Sequence, residues 1–178
     1  MEIKELNELL KNKDKLEDKI QNYMKWQTLV KEKINKEDII GHLSKAKNNL
    51  TFVDNNIPLG HIDWAIAGCY YAVYHATLAL ILGKGYSSKN HDATLCMAIR
   101  EYYGEGIFDE DITLINFFFL TYQDLLFYID AREKRKDASY SPRFLFSKEE
   151  VEELRQKAMA YIVKVELILK ENLAKEKK

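Results

Sequence analysis

The sequence feature that most constrains the fold is the segment from Ile62 to Leu82, which reads IDWAIAGCYYAVYHATLALIL. It is apolar on nearly every side, so a helix built from it must be buried in a protein or in a membrane. Its length is close to the roughly 20 residues that a membrane span needs. We favour burial in a protein, because the segment is rich in alanine, carries three tyrosines and a central histidine, and resembles no other segment. We predict that it is the central helix of a soluble bundle.

Composition narrows the classes of function. The chain has 178 residues, a length usually served by one domain. Its 27 basic and 28 acidic residues leave a net charge of -1, so only a local basic patch would attract nucleic acid. Cys69 and Cys96 lie in apolar helical patterns, which indicates buried thiols rather than a disulfide or zinc framework. The first residues, MEIKELNELL, lack the features of a signal peptide, so we expect a cytoplasmic protein with no membrane partner.

Few breakers interrupt the chain, which has 7 glycines and 2 prolines, and no segment alternates convincingly between apolar and polar residues. We therefore predict an all-α protein: an up-and-down four-helix bundle with an additional C-terminal helix and an N-terminal helical extension. The short loops between successive helices favour antiparallel neighbours. The predicted divisions are an amphipathic helical extension over residues 1–35 and the bundle over residues 36–178.

The predicted helix ends depend on capping residues. Asn35 caps the helix before the central segment, and Ser147–Glu150 is a capping box that opens the last helix. Ser87 or Ser88 is expected to cap the helix after the central one. The N-terminal extension has a thin apolar stripe interrupted at Lys13, so it forms a long helix or a broken one. It packs against its own bundle or serves as a partner helix, and the spacing leaves both interpretations open.

Two segments carry side chains suited to binding a phosphate. In Ser87–His91, the free N–H groups of a helix N-terminus would act together with Lys89 and His91; the alternative is an ordinary helix cap. The run Arg132–Lys136 places four cations in five positions at a helix end, with Tyr140 close behind. This run and Tyr140 would hold a phosphate and stack a base. Alternatively, the cations only complement the helix dipole at a solvated helix end.

The third candidate is the aromatic group of the central segment, formed by Tyr70, Tyr71, Tyr74 and His75. A buried tyrosine or histidine needs a polar partner, so these residues either pack in the core with satisfied polar tips or line a cleft. In the second interpretation, Tyr74 or His75 lines a cleft toward the arginine run. The chain has no phosphate-loop spacing and no Glu-x-x-His motif, so we predict no metal site and no cofactor.

The order of these pieces resembles the HEPN domain family (higher eukaryotes and prokaryotes nucleotide-binding). The resemblance is carried by AGCYYAVYHA at residues 67–76, by Gly85-Tyr86 and Lys89-x-His91, and by RKDASY at residues 135–140 before a long final helix. Families of this kind often show Arg-x-x-Ala-Asp-Tyr at the last of these places. The resemblance covers residues 36–175 and leaves the N-terminal extension outside.

The resemblance implies a bundle that is usually dimeric and associates with nucleotides or RNA. Many members are ribonucleases, in which an Arg orients the scissile phosphate and a His a few residues later transfers a proton. Others pair with a small nucleotidyltransferase in toxin–antitoxin or defence modules. Here the Arg position falls on Arg135, but Tyr140 stands near the place of the His, and no His follows His91. A tyrosine with a pKa near ~10 is a poor general base at neutral pH.

Three functional hypotheses follow. The first is a homodimeric HEPN-type protein that binds nucleotide or RNA phosphates and works with a nucleotidyltransferase partner. Its phosphate-binding residues would be Arg132, Arg135, Tyr140, Lys89 and His91. The second is a metal-independent ribonuclease toxin, with Arg135 and Tyr140 as candidate catalytic residues. The third is a non-enzymatic dimeric scaffold. The missing His leaves open whether the chain is an enzyme.

Overall fold

A computed structural model of the chain describes residues 1–134 and 146–175, with the backbone alone for residues 122–134, 173 and 175. Within these residues the elements are helices joined by short connections, together with one two-stranded sheet, so the all-α prediction is confirmed. In chain order they are α1 (Ile3–Lys11), α2 (Lys13–Lys25), β1 (Leu29–Lys31), α3 (Lys36–Asn56), α4 (Ile62–Leu82), β2 (Tyr86–Ser88), α5 (His91–Tyr102), α6 (Asp109–Lys134) and α7 (Lys148–Lys175).

The bundle consists of α3, α4, α6 and α7, and side-chain contacts give the helix directions. Ion pairs from Asp54 to Arg155 and from Lys47 to Glu166 show that α3 and α7 are antiparallel. The hydroxyl groups of Thr77 and Tyr161 are 3.0 Å apart. Gly83, which comes after Thr77 in the chain, contacts a part of α7 that comes after Tyr161, so α4 and α7 run parallel. Lys164 bonds Asp111 at the start of α6, and Phe117 meets Phe146 before α7 begins, so α6 and α7 are antiparallel. The order of directions is that of an up-and-down bundle.

The additional helix is α5, which lies between the second and third bundle helices in the chain, whereas the C-terminal helix α7 is itself part of the bundle. In α5, His91 contacts Tyr70 and the Tyr102 hydroxyl donates to the Leu80 carbonyl, so α5 runs parallel to α4. The expectation of antiparallel neighbours therefore fails for this pair. The reason is the extended segment 83–90, which includes β2 and carries the chain back along α4 before α5 begins.

The N-terminal extension is broken into two helices at Asn12, whose side chain accepts a hydrogen bond from the Lys15 N–H and caps α2. Buried residues of α1 and α2, among them Leu6 and Ile20, belong to the same hydrophobic core as the bundle. Within the described residues, the extension therefore packs against its own protein. Neither strand was predicted, because a three-residue strand is too short to show a period of two.

The predicted caps of two helices are confirmed. The Asn35 side chain accepts from the Glu37 N–H at the start of α3, and the Ser147–Glu150 pair exchanges the two bonds of a capping box. The prediction of Ser87 or Ser88 as the cap of α5 is wrong. Both serines lie in β2, and Asn90 caps α5 by accepting from the Ala93 N–H.

The central helix α4 is long and apolar enough to cross a membrane, but 78% of its most apolar window is buried inside the protein. Packing against the other helices therefore explains why α4 is so apolar. A Cβ atom on Gly68 would lie 2.6 Å from Cγ2 of Val53, so this glycine allows the close approach of α3 and α4. Cys69 and Cys96 are both fully buried, as predicted, and burial raises the pKa of each thiol to about 12.

Candidate functional site: aromatic and histidine side chains on the central helix

One strip of α4 is not fully covered by other helices. Tyr71, Tyr74 and His75 are half-buried, whereas every residue from Ala76 to Ile81 is buried. The three accessible residues lie at spacings of one, three and four positions, which place them on one side of a helix. Two groups of side chains from other elements meet this strip, one from α3 and one from α5 and α6.

The first group is a histidine pair, His42 of α3 and His75 of α4. Their Nδ1 atoms are 3.0 Å apart, so one imidazole donates an N–H and the other accepts. Burial, followed by the neighbouring His42 and Lys45, lowers the pKa of His75 to about 4, and burial also lowers the pKa of His42. The pair is therefore neutral at pH 7 and acts as a hydrogen-bonded unit between the two helices.

The second group is an aromatic cluster formed by Tyr70, Tyr74, His91 and Phe119. The Tyr70 hydroxyl and His91 Nε2 are 2.6 Å apart. The His91 ring lies 5.1 Å from Tyr74 and 4.7 Å from Phe119, and Tyr70 stacks on Tyr74 at 5.7 Å. Burial lowers the pKa of His91, so its imidazole is mainly neutral at pH 7. In that state it donates or accepts a hydrogen bond without adding positive charge.

Tyr74 and His75, expected either to pack in the core or to line a cleft, are half-buried and belong to the accessible strip. His42 and Phe119 belong to no motif in the sequence, although each completes one of the two groups. The sequence around each of them predicts only a helix. Their contacts with α4 depend on how α3 and α6 pack against it.

The arginine run lies mostly outside what the structure describes. Arg135 and Tyr140 fall outside the described residues, and Arg132 lies in the last turn of α6, where the backbone alone is described. From Phe119 to Arg132, α6 rises by about 20 Å. Because α6 is antiparallel to α7 and α7 is parallel to α4, α6 runs from Phe119 toward the end of the bundle at which α4 begins.

The predicted phosphate ligands Lys89 and His91 lie in different surroundings. The His91 side chain points into the aromatic cluster, whereas Lys89 is exposed and follows β2 directly. The register pairs Leu29 with Ser88, so Lys89 lies across from Thr28 and beside the N-terminal extension.

Among the residues whose side chains the structure describes, no three histidine, cysteine, aspartate or glutamate side chains lie close enough together to hold a metal ion.

Acidification from pH 7.5 to pH 5 is expected to destabilise the protein through His75. The folded pKa is about 4, whereas a histidine in an unfolded chain titrates near ~6.5. Between these values the unfolded state binds more protons than the folded state, so stability falls as the pH falls. Urea unfolding midpoints at the two pH values measure the loss.

The control for this prediction is His61→Gln, at the exposed start of α4. His75→Gln should reduce the difference between the two midpoints, whereas His61→Gln should leave the wild-type difference. A His75→Gln protein that keeps the whole difference would show that another group causes it.

A family model described as the HEPN domain matches residues 41–168, which span α3 to α7 and include the histidine pair and the aromatic cluster. A search of curated proteins found no match. The chain therefore belongs to the HEPN domain family of helical proteins, which are associated with nucleotides and RNA.

Proposed function

We propose that this protein binds the phosphates of RNA or nucleotides through Arg132, in the last turn of α6, and through Arg135 and Tyr140, which follow it in the sequence. The observation that carries this proposal is the HEPN match over residues 41–168, which includes the end of α6 and the run of cations there. A guanidinium binds phosphate through two parallel hydrogen bonds, and a nearby phenol offers a surface for a base.

The local charge of residues 132–136 also supports phosphate binding there. The net charge of the whole chain is -1, so a nucleic acid gains nothing from the overall field and must bind at a local excess of positive charge. Residues 132–136 supply four cations and one glutamate.

Replacing Arg135 by alanine is expected to weaken RNA binding by about ten- to a hundredfold, the equivalent of one charged hydrogen-bonded contact. Fluorescence anisotropy of a labelled 20-nucleotide single-stranded RNA at 50 mM salt measures the affinity. The slope of log K against log salt should also become less steep by about 0.7, since one phosphate contact is lost.

Two variants control this experiment. Arg135→Lys keeps the charge and loses the planar fork, so its affinity should lie between those of the wild type and the alanine variant. Lys157→Ala removes a charge from the exposed surface of α7 and should leave binding unchanged. Equal affinity of the wild type and Arg135→Ala at low salt would rule out this binding site. Incubation of the same RNA with the wild type and EDTA tests for ribonuclease activity.

The proposal includes a homodimer and a nucleotidyltransferase partner in a toxin–antitoxin or defence module. Both rest on what the resemblance to HEPN proteins implies. Light scattering measures the mass of the purified protein in solution, and co-expression with a nucleotidyltransferase from a neighbouring reading frame tests the partner. A monomeric protein that does not copurify with the nucleotidyltransferase would contradict this part of the proposal.

A further inference from the structure

The outward side of α7 carries a row of exposed apolar side chains. Met159, Val163 and Leu167 are 41%, 51% and 58% exposed. They are four positions apart, so each is turned by about 40° from the one before it, and the three lie on one side of the helix. We call these three residues the outer row. A single exposed aliphatic residue is ordinary, but three in line form a continuous apolar surface, which is typical of an interaction site.

The contacts of α7 with its neighbours show that the outer row faces away from the bundle. The buried residues of α7, such as Ala158 and Val165, lie on the opposite side of the helix. On one edge Arg155 donates to an aspartate of α3 at 2.8 Å, and on the other edge Lys164 donates to an aspartate of α6 at 2.7 Å. The outer row lies between these two edges. The helix therefore has one apolar side that the bundle buries and a second that it leaves in water.

The charges at the two ends of the outer row are opposite in sign. Glu149 and Glu152 continue its line toward the start of α7, Lys170 continues it toward the end, and all three are exposed. Glu152 also lies 3.6 Å from Lys148, a weak surface contact within the helix. A second α7 packed antiparallel to the first would set the acidic end of each row against the basic end of the other. A parallel copy would set like charges together.

We propose that the outer row is a homodimer interface, along which α7 of a second copy packs antiparallel. A two-fold axis beside Val163 places this residue against the partner's Val163, and Met159 against the partner's Leu167. Lys170 then lies within about one turn of the partner's Glu152, so its long side chain reaches that carboxylate. The inference supplies the surface for the homodimer of the proposed function, and it does not depend on the phosphate site.

Two other occupants of this surface fit less well. An anionic membrane surface would repel the exposed glutamates at one end of the row. A different protein would have to supply matching charges, whereas a second copy carries both signs in the required order. The helix contact from Glu152 to Lys170 is about 27 Å long. A single pair of helices of this length is at the low end of specific interfaces, so we expect a micromolar dissociation constant.

Sedimentation velocity of the full-length protein over about 1–200 μM measures the dimer dissociation constant. Val163→Glu should raise this constant about a hundredfold or more, because two glutamates then meet beside the two-fold axis. The matched control is Ile40→Glu on α3, where a side chain that is 61% exposed becomes the same glutamate. The control should leave the dissociation constant unchanged. Circular dichroism melting curves confirm that both variants are folded.

Crosslinking locates the interface. Val163→Cys should form a disulfide-linked dimer when copper phenanthroline is added, because each new thiol lies near its copy in the partner. Lys157→Cys, exposed on another side of the same helix, should remain uncrosslinked on a non-reducing gel. The native Cys69 and Cys96 are fully buried, so they add little background.

A charge exchange tests the antiparallel orientation. Lys170→Glu should weaken the dimer about tenfold, because it replaces an attraction by a repulsion at both ends of the contact. Adding Glu152→Lys to the same chain should restore the affinity. A double variant as weak as Lys170→Glu alone would contradict the antiparallel orientation.

The outcomes separate this inference from the proposed function. A dimeric wild type whose dissociation constant is unchanged in Val163→Glu overturns the outer row as the interface and leaves the homodimer standing. A wild type that is monomeric at about 200 μM overturns both, and the RNA anisotropy of Arg135→Ala still decides the phosphate site. Cosedimentation of the wild type, but not of Val163→Glu, with anionic phospholipid vesicles would identify a membrane surface and overturn the inference.

Discussion

Replacing Tyr161 by alanine is expected to lower the free energy of unfolding by about 3–5 kcal/mol, the usual cost of removing a large aromatic side chain from a core. Tyr161 is 1% exposed and lies between α7 and α4. The Thr77 hydroxyl donates to the Val73 carbonyl at 2.8 Å, so at the 3.0 Å contact between the hydroxyls Tyr161 is the donor. The alanine variant loses this bond and leaves a cavity where the two parallel helices meet.

Urea unfolding followed by circular dichroism measures this effect, and Tyr161→Phe is its control. Phenylalanine keeps the ring and loses the hydroxyl, while Thr77 keeps its bond to Val73, so the cost should be about 1 kcal/mol. Similar losses in the two variants would show that the hydroxyl pair, and not the ring, stabilises the contact. A loss under about 1 kcal/mol in the alanine variant would contradict the burial of this ring.

Replacing Gly85 by alanine is expected to cost about 2–5 kcal/mol, and the effect has two parts. Gly85 has a φ of 74°, a left-handed conformation that costs other residues about 1–2 kcal/mol. A Cβ atom would also lie 2.7 Å from the Glu32 carbonyl oxygen. Because this oxygen belongs to the backbone and the Glu32 N–H donates to the Gly85 carbonyl at 2.8 Å, the sheet must shift to make room, at a further ~1–3 kcal/mol.

The control for Gly85 is Gly104→Ala. Gly104 has a φ of 81°, but a Cβ atom there meets nothing within 4 Å. Its replacement should therefore cost only the conformational part, about 1–2 kcal/mol. The difference between the two variants in urea unfolding isolates the steric part. Equal losses would mean that the sheet moves aside without strain.

Features that depend on neighbouring residues in the chain were predicted well. The apolar segment from Ile62 to Leu82 became α4 with those bounds, and the caps at Asn35 and Ser147 form as expected. A cap joins groups two or three residues apart, so its signal is complete in the local sequence. The serine cap of α5 was wrong because Ser87 and Ser88 pair instead with β1, almost 60 residues earlier.

The candidate site depends on contacts between distant residues. His42 and His75 are 33 positions apart, and His91 reaches Tyr70 across 21 positions. Each side chain has an ordinary helical position in the sequence. Their polar atoms meet only because α3 and α5 pack on either side of α4, and α5 runs in the direction that the short loops did not predict.

By itself the sequence determined the all-α class, the central buried helix, the helix ends with local caps and the family. The first three follow from apolar periodicity and capping, which act over one or two helical turns, and the family follows from the resemblance of its ordered motifs. The tertiary structure decided the parallel course of α5, the two-stranded sheet and the histidine pair. Those features form between segments far apart in the chain, where close packing and strand pairing select one arrangement among several that local propensity allows.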